Sequence, residues 1–594
     1  MTRALGPNVG VGREAALPFG ILGLCWLPIG LGGVVWLAGG LTSVAAGRGW
    51  RTPPFSLDSA KHLASGGPQT LWPGLAPTAV WLIAGLIVAI VATLVAVLVR
   101  AVGGSRSVPG DPLTTLATLY DVRGLAPDGV ASRAEQLRPS LRRATRKAPR
   151  PGRENGVLLG VLRSRSGDGA ELRASWEDVV LAIMAPRAGK TTALAVPAIL
   201  NAPGPVVATS NKADLWAATA DIRRTETGDH VWVFDPQRIT GTERSWWWNP
   251  LRGVTDVEEA HRLAGHFIQE VRAGKDDRDF WTSAALDLLT GLLLAAALSG
   301  RDLAEVYEWL NDPVLSTPAQ VLREHDQKAA AASLAGRQHG APETRDGVYE
   351  TARTAAQCLR DNNIMSWVTP PSRSMAEFDP AAFIRTRQSL YLLSKDGAGA
   401  AAPLVAALTD RVMRDAVRAA ELDGGRLDPP MIVVLDEAAN VCRIADLPEL
   451  YSHLGSRGVL PLTILQSYRQ GARVWGDHGM DALWSAATCK LLGAGLDDAR
   501  LVEDVSRLVG DHDVAMRSIS RGDGRSTESV SLRRQRVLPP EDIRALPKGS
   551  ALLLATGCRP AMLSLQPWYI TERAEAVGAA IRIASLRRAG RPDT

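Results

Sequence analysis

Gly189, Lys190 and Thr191 stand together in the segment Pro186-Arg187-Ala188-Gly189-Lys190-Thr191-Thr192. These residue types in this order suit a triphosphate. Backbone N–H groups of such a loop, and of a helix opening from it, point at phosphate oxygens. A lysine at 190 bridges the β- and γ-phosphates, and the Thr191 hydroxyl ligates Mg²⁺. Far downstream, Asp436 and Glu437 are adjacent. Asp436 suits Mg²⁺ held through water, and Glu437 suits a general base on the attacking water. Gln466 ends a further apolar run and is a candidate sensor of the γ-phosphate. The chemistry this set points to is hydrolysis of ATP with Mg²⁺. One position departs from the pattern: GxxxxGK(S/T) asks for glycine at 184, and the chain has Met184.

Placing these groups around one ligand requires particular elements. EDVVLAIMAP (177–186) reads as an apolar strand leading into the phosphate loop, and ALAVPAILNA (193–202) reads as the helix that follows. PPMIVVLDEAAN (429–440) is a continuous apolar run ending in the two acids. Such a run is what a parallel strand buried on both faces looks like, and its carboxyl end is where open α/β sheets bind ligands. LPLTILQS (460–467) reads as a neighbouring strand. The fold class expected is therefore α/β with a parallel sheet. Residues 256–375 are helical in pattern and lack β-branched alternation, so they read as an all-α insertion between two parts of the nucleotide-binding domain, 154–255 and 376–575. Within the insertion, LDLLTGLLLAAAL (286–298) is short and interrupted by Asp287, which favours a buried core helix over a membrane span.

Composition sets the wider frame. The 594 residues are 46 % hydrophobic and 22 % charged, which excludes global disorder and leaves room for several domains. Net charge is +5, compatible with a polyanionic partner. The five cysteines form no CxxC pair, so neither a zinc site nor a disulfide framework is expected. No charged residue or histidine falls in 15–47 or in 63–99, and Thr78–Val99 is almost wholly apolar. Its 22 residues make a helix of about 33 Å, against a hydrocarbon core of about 30 Å. Two transmembrane helices are expected within 17–102, with a short extracytoplasmic loop. The loop has few basic residues, whereas 103–153 is rich in arginine. That asymmetry puts both termini in the cytoplasm, with 1–16 a cytoplasmic N-terminus, 103–153 a basic linker and 576–594 a basic, frayed tail.

The order of motifs resembles a known family. Two apolar spans, a phosphate loop, VVATSNKADL (206–215), VFDP (233–236), WNPL (248–251), DFW (279–281), LDEAAN and LQS occur in sequence. As a set they resemble the type IV secretion system coupling proteins of bacterial conjugation, the TraG/TraD type, over most of the chain. The resemblance implies a RecA-like P-loop NTPase core and a homo-hexameric ring at the cell (inner) membrane. It implies partners as well: a relaxase or relaxosome, a type IV secretion channel, and DNA, single-stranded and bound independently of sequence. It also implies an arginine finger, for which Arg457 in GSRG (455–458) is the candidate. The Arg-rich stretch 517–525 and 533–536 is a candidate loop for contacting DNA phosphates. Two other readings fit part of the pattern: a double-stranded DNA translocase of the FtsK type, and a membrane scaffold whose nucleotide site has decayed at Met184.

Overall fold

The structure is a computed structural model that describes residues 30, 32–102, 115–144, 155–163, 169–272, 279–397, 399–522 and 525–589. The N-terminal half of the first expected span, Cys25 and part of the basic run (145–154) lie outside them. The chain divides into two units, Met1–Val108 and Pro109–Thr594.

The first unit is built on a long apolar helix, Pro77–Val102. At 26 residues it extends about 39 Å, longer than a hydrocarbon core. A shorter apolar helix, Gly32–Ala45, packs beside it. Val35 and Ala38 from one and Val80 and Ala84 from the other form the buried seam. Gly39 lies against the Trp72 ring, where a Cβ would meet ring carbons at 2.3 Å. The connection between the helices is held by indole N–H donors: Trp36 to the Pro53 carbonyl (2.7 Å) and Trp72 to the Arg51 carbonyl (2.8 Å). Leu82, Leu86 and Leu94 are 60 % or more exposed on the outer face of the long helix.

The described residues of the second unit contain fifteen strands. In chain order they are β1 (Val157–Leu162), β2 (Glu171–Ala174), β3 (Val180–Ile183), β4 (Val206–Ser210), β5 (Val231–Phe234), β6 (Trp246–Trp247), β7 (Ala376–Glu377), β8 (Ser389–Leu393), β9 (Met431–Leu435), β10 (Val459–Leu465), β11 (Cys489–Gly493), β12 (Asp511–Gly522), β13 (Arg525–Arg536), β14 (Ser550–Ala555) and β15 (Ala561–Ser564). Eleven form one sheet in the order β2-β1-β15-β14-β11-β3-β10-β9-β4-β8-β5. Seven of these, from β11 to β5, are mutually parallel. The remaining four extend the β11 edge with antiparallel pairings. Every residue of β3, β4, β8, β9 and β10 is buried, because helices cover both faces of a parallel sheet.

Between β6 and β7, which pair with each other, the described chain is helical. Its centre is Phe280–Leu298, a helix apolar enough to pass for a membrane span. Leu288, Leu292, Leu294 and Ala296 on it are fully buried, and neighbouring helices, including Val257–Arg272 and Pro342–Ala355, enclose it. It is a core helix. Polar ties join this helical segment to the sheet unit: Glu259 accepts from Arg414 (2.6 Å), and His266 Nε2 lies 3.1 Å from the Asp410 carboxylate.

Three stretches differ from the expectations above. Residues 115–144, within the expected linker, belong to the folded body: Val122, Val130 and Ala134 are fully buried, and the Arg138 guanidinium lies over the Trp176 ring at 5.7 Å. Their small apolar residues find a partner face beside β2, which composition dominated by arginine concealed. The expected frayed tail is, from Ala574 to Arg588, a helix packed on Asp214–Thr227, with Arg573 clasping both oxygens of Glu226 (2.7 and 3.2 Å). The Arg-rich loop is a two-stranded antiparallel ribbon, β12 with β13, in continuous register from Asp511↔Arg536 to Gly522↔Arg525.

Candidate nucleotide site

Because β3, β10, β9, β4 and β8 are adjacent and parallel, their carboxyl ends lie side by side. The residues that follow them share one rim. After β3 the chain enters the phosphate loop. Arg187 and Gly189 take positive φ angles of 63° and 98° there, the conformation that turns successive N–H groups to one side. The helix then opens at Thr191, stapled by the Gly189 carbonyl, which accepts from the Ala193 N–H (2.8 Å) and from the Thr192 hydroxyl (3.2 Å). Ala188 is buried behind the loop, while Pro186, Arg187, Gly189, Lys190, Thr191 and Thr192 line an open cleft. The cleft, about 510 Å³ in volume, accommodates a nucleotide.

Met184 has a local explanation. Its N–H donates to the Leu465 carbonyl (3.1 Å), continuing the ladder with β10, and its side chain is fully buried. It lies on Gly493, the last residue of β11, where a Cβ would come within 2.5 Å of Met184 Cγ. The glycine missing from the loop is matched by one on the neighbouring strand, which leaves the thioether room. The loop beyond it keeps its turn.

Glu437 is the centre of the site. It follows β9 with φ at 55°, a left-handed conformation that costs a non-glycine residue about 1 kcal/mol or more. Its Oε1 accepts from Gln466 Nε2 at 2.8 Å and lies 3.3 Å from Lys190 Nζ; its Oε2 accepts from Asn211 Nδ2 at 2.9 Å. A chain of amides stands behind: Asn440 Nδ2 reaches Oε2 at 3.5 Å, Gln470 Nε2 donates to Asn440 Oδ1 (2.8 Å), and the Gln466 N–H donates to Gln470 Oε1 (3.1 Å).

Asp436 beside it receives the Thr191 hydroxyl on Oδ2 at 3.3 Å. Its Oδ1 is buried without a partner among the described residues. Burial raises the Asp436 carboxyl to about 6, against the lowering pull of Lys190 and the further raising effect of Glu437. A buried carboxylate oxygen with no donor, next to a threonine hydroxyl, is an oxygen pair of the kind that suits a hard divalent cation. The residues present therefore fit Mg²⁺.

The structure brings Lys190, Thr191, Asp436, Glu437 and Gln466 to one rim. It does not bring Arg457 there. Arg457 stands just before β10, at the opposite end of the strand from Gln466. That is about 30 Å along the chain at strand spacing. It is 3.3 Å from Glu421 and donates to the Gly425 carbonyl. Asn211, Lys212, Asn440 and Tyr569 also border or support the cleft, and sequence reasoning gave them no role. Asn211 and Lys212 had a readable signal: they are polar residues at the tip of the apolar run VVATS, the same signature that singled out Gln466.

Comparison with known proteins agrees with this architecture. Residues 140–588 match the family described as type IV secretory system conjugative DNA transfer. The chain is 22 % identical over 438 residues to Protein VirD4 of Agrobacterium fabrum strain C58, covering 71 % of this chain and 63 % of that protein. It is 24 % identical over 350 residues to the conjugal transfer protein TraG of Escherichia coli, covering 54 % of this chain and 53 % of TraG. The chain thus matches little more than half to three fifths of those relatives' lengths. Among solved structures, the unbound conjugative coupling protein TrwBdeltaN70 superposes with a TM-score of 0.50 at 17 % identity, covering 72 % of this chain and 92 % of that one. The fold is that of a RecA-like P-loop NTPase with a mostly parallel sheet. With three quarters of its length matched by the family, the chain belongs to the type IV secretory system conjugative DNA transfer family.

Proposed function

We propose that this protein is a membrane-anchored ATPase that couples a relaxase–DNA substrate to a type IV secretion channel and drives DNA transfer. The observation that carries the reading is the convergence of Lys190, Thr191, Asp436, Glu437 and Gln466 on the rim of the sheet in a chain of the conjugative DNA transfer family.

In this reading the phosphate loop, Pro186 to Thr192, binds ATP. Lys190 leaves Glu437 for the β- and γ-phosphates. Thr191 and Asp436 hold Mg²⁺, which neutralises charge on the phosphates. Glu437 orients the attacking water and takes its proton. Gln466, joined to Glu437 and through Gln470 to Asn440, registers whether the γ-phosphate is present. Arg457 serves a neighbouring subunit of a homo-hexamer rather than its own site. The ribbon β12–β13 contacts DNA phosphates through Arg517, Arg521 and Arg525, without sequence preference. The helical segment between β6 and β7 receives the relaxosome. The helix Pro77–Val102 crosses the inner membrane, a second span precedes it, and the bulk of the chain is cytoplasmic.

ATP turnover by the full chain in detergent, with and without DNA and across a salt series, tests the reading. Stimulation by single-stranded DNA that fades as salt rises is the expected result, and Lys190→Ala is expected to abolish both turnover and conjugative transfer. Normal transfer by that variant would leave only a scaffold role, and stimulation by duplex DNA alone would favour a duplex translocase.

A further inference from the structure

Each oxygen of the Glu437 carboxylate has a close amide donor. Gln466, from the tip of β10, holds Oε1 at 2.8 Å; Asn211, from the tip of β4, holds Oε2 at 2.9 Å. β10 and β4 flank β9 on opposite sides, so the two amides grip the carboxylate from both neighbouring strands. The Asn211 amide nitrogen also donates to Asp396 Oδ2 at 3.0 Å, in the loop after β8. Both partners of that nitrogen are carboxylates, which only accept, so the orientation of the amide is fixed: it is the NH₂ that lies between them. Lys190 is the remaining close donor, at 3.3 Å. A phosphate entering the loop draws Lys190 away and frees an acceptor position on Oε1. With the lysine gone, the aim of the carboxylate rests on these two short amide contacts, with Asn440 Nδ2 adding a longer one to Oε2 at 3.5 Å.

We propose that Asn211 is a positioning residue for ATP hydrolysis: it holds Glu437 from the β4 side and ties it to Asp396, so that the acceptor vacated by Lys190 faces the attacking water. The inference rests on the ATPase reading above. A group that sets the direction of a general base acts after substrate has bound, so its removal lowers kcat and leaves nucleotide affinity in place. Small misplacements at a reacting centre cost one to two orders of magnitude.

The test uses the full chain in detergent with four readouts: kcat, KM for ATP, Kd for a fluorescent non-hydrolysable ATP analogue with Mg²⁺, and melting temperature. Asn211→Ala and the isosteric Asn211→Asp are expected to lower kcat at least about tenfold, with KM and analogue Kd within about threefold of the parent. Asp396→Ala is expected to lower kcat by about threefold and to add nothing to Asn211→Ala, the mark of two residues acting through one contact. A kcat within twofold of the parent in Asn211→Ala would overturn the proposal. So would near-parental activity in Asn211→Asp, which keeps the shape and loses the donor, or a matching fall in analogue affinity or melting temperature. A parent chain with no ATP turnover would overturn the ATPase reading and this inference with it. An active parent with an unaffected Asn211→Ala overturns this inference alone.

Discussion

Asp436 is a carboxylate in a place that resists its charge. Its Oδ1 has no donor among the described residues, and burial lifts its carboxyl from 3.8 to about 6. The direction fixes a stability prediction. A folded-state value above the unfolded one means the native chain holds the extra proton between pH 4 and 6. The cost of burying the charge is therefore fully present above about pH 6 and gone below about 4. Asp436→Asn, which keeps the shape without the charge, is expected to stabilise the nucleotide-free protein by about 1–2 kcal/mol at pH 7.5 and to give no gain near pH 4. The same variant loses Mg²⁺-dependent nucleotide binding. Melting curves at the two pH values without Mg²⁺ or nucleotide check the first part, and analogue binding with and without Mg²⁺ checks the second. An asparagine variant less stable than the parent at pH 7.5 would mean that the site compensates the charge in some other way. Met184 gives the opposite lesson about residue-scale reading. By the motif it is a defect, and only the alignment of β3 beside β11 shows the neighbouring Gly493 that accommodates it. No one-dimensional pattern links those two positions.

At the scale of elements, what was legible depended on burial. The strands that position the site are apolar on both faces, so AIMAP, MIVVLDE and LTILQ stand out as strands and their terminal polar residues as a rim. At the β11 edge, β2 (ELRA) and β15 (AMLS) have four residues each and gave no such signal, whereas β1 (VLLGVL) and β14 (SALLLA) are apolar runs of six that no terminal acid or amide marked out. The helix Ala574–Arg588 buries only Val577, Ala580 and Ala584 among its fifteen residues, a stripe too narrow to read beside so many arginines. The ribbon had a turn signal in Gly522-Asp523-Gly524, hidden by flanks rich in serine and arginine rather than in alternating apolar residues. Its base is firmly held: Asp511 pairs with Arg534 and Arg536, Glu503 lies 3.4 Å from Arg536, and the Val537 N–H donates to the Gly510 carbonyl. Between Ala515 and Ser531 the sequence carries Arg517, Arg521 and Arg525 against two acids, Asp523 in the turn and Glu528. Replacing the three arginines with glutamate is expected to weaken single-stranded DNA binding and to flatten the slope of log affinity against log salt by about 2, near 0.7 per lost phosphate contact. Fluorescence anisotropy of a labelled oligonucleotide from 50 to 300 mM salt gives that slope. An unchanged slope would place the DNA elsewhere on the molecule.

For the whole molecule, the position of Arg457 bears on whether the proposed ATPase works alone or only within a ring. A chain whose site is complete in itself has no use for a distant arginine. This chain gathers a lysine, a threonine, two acids and a glutamine around one cleft, with Arg457 at the far end of β10 beside Glu421. If Arg457 serves a neighbour's γ-phosphate, the working unit is the junction between two subunits, and each subunit gives its loop to one junction and its arginine to the next. That arrangement has a signature no monomer can imitate. Lys190→Ala destroys the loop and leaves the arginine intact; Arg457→Ala does the reverse. Each homogeneous assembly is expected to be inactive, because every junction in it has one bad half. In an equal mixture, about a quarter of junctions pair an intact loop from an Arg457→Ala subunit with an intact arginine from a Lys190→Ala subunit, by random assortment around a closed ring. Co-expression of the two variants is therefore expected to restore a measurable fraction of ATP turnover, and dissociating the assemblies by dilution is expected to remove it. Continued inactivity of the mixture, with both proteins folded and co-purifying, would mean that Arg457 only braces its own subunit through Glu421, and that the finger for the shared site is another residue.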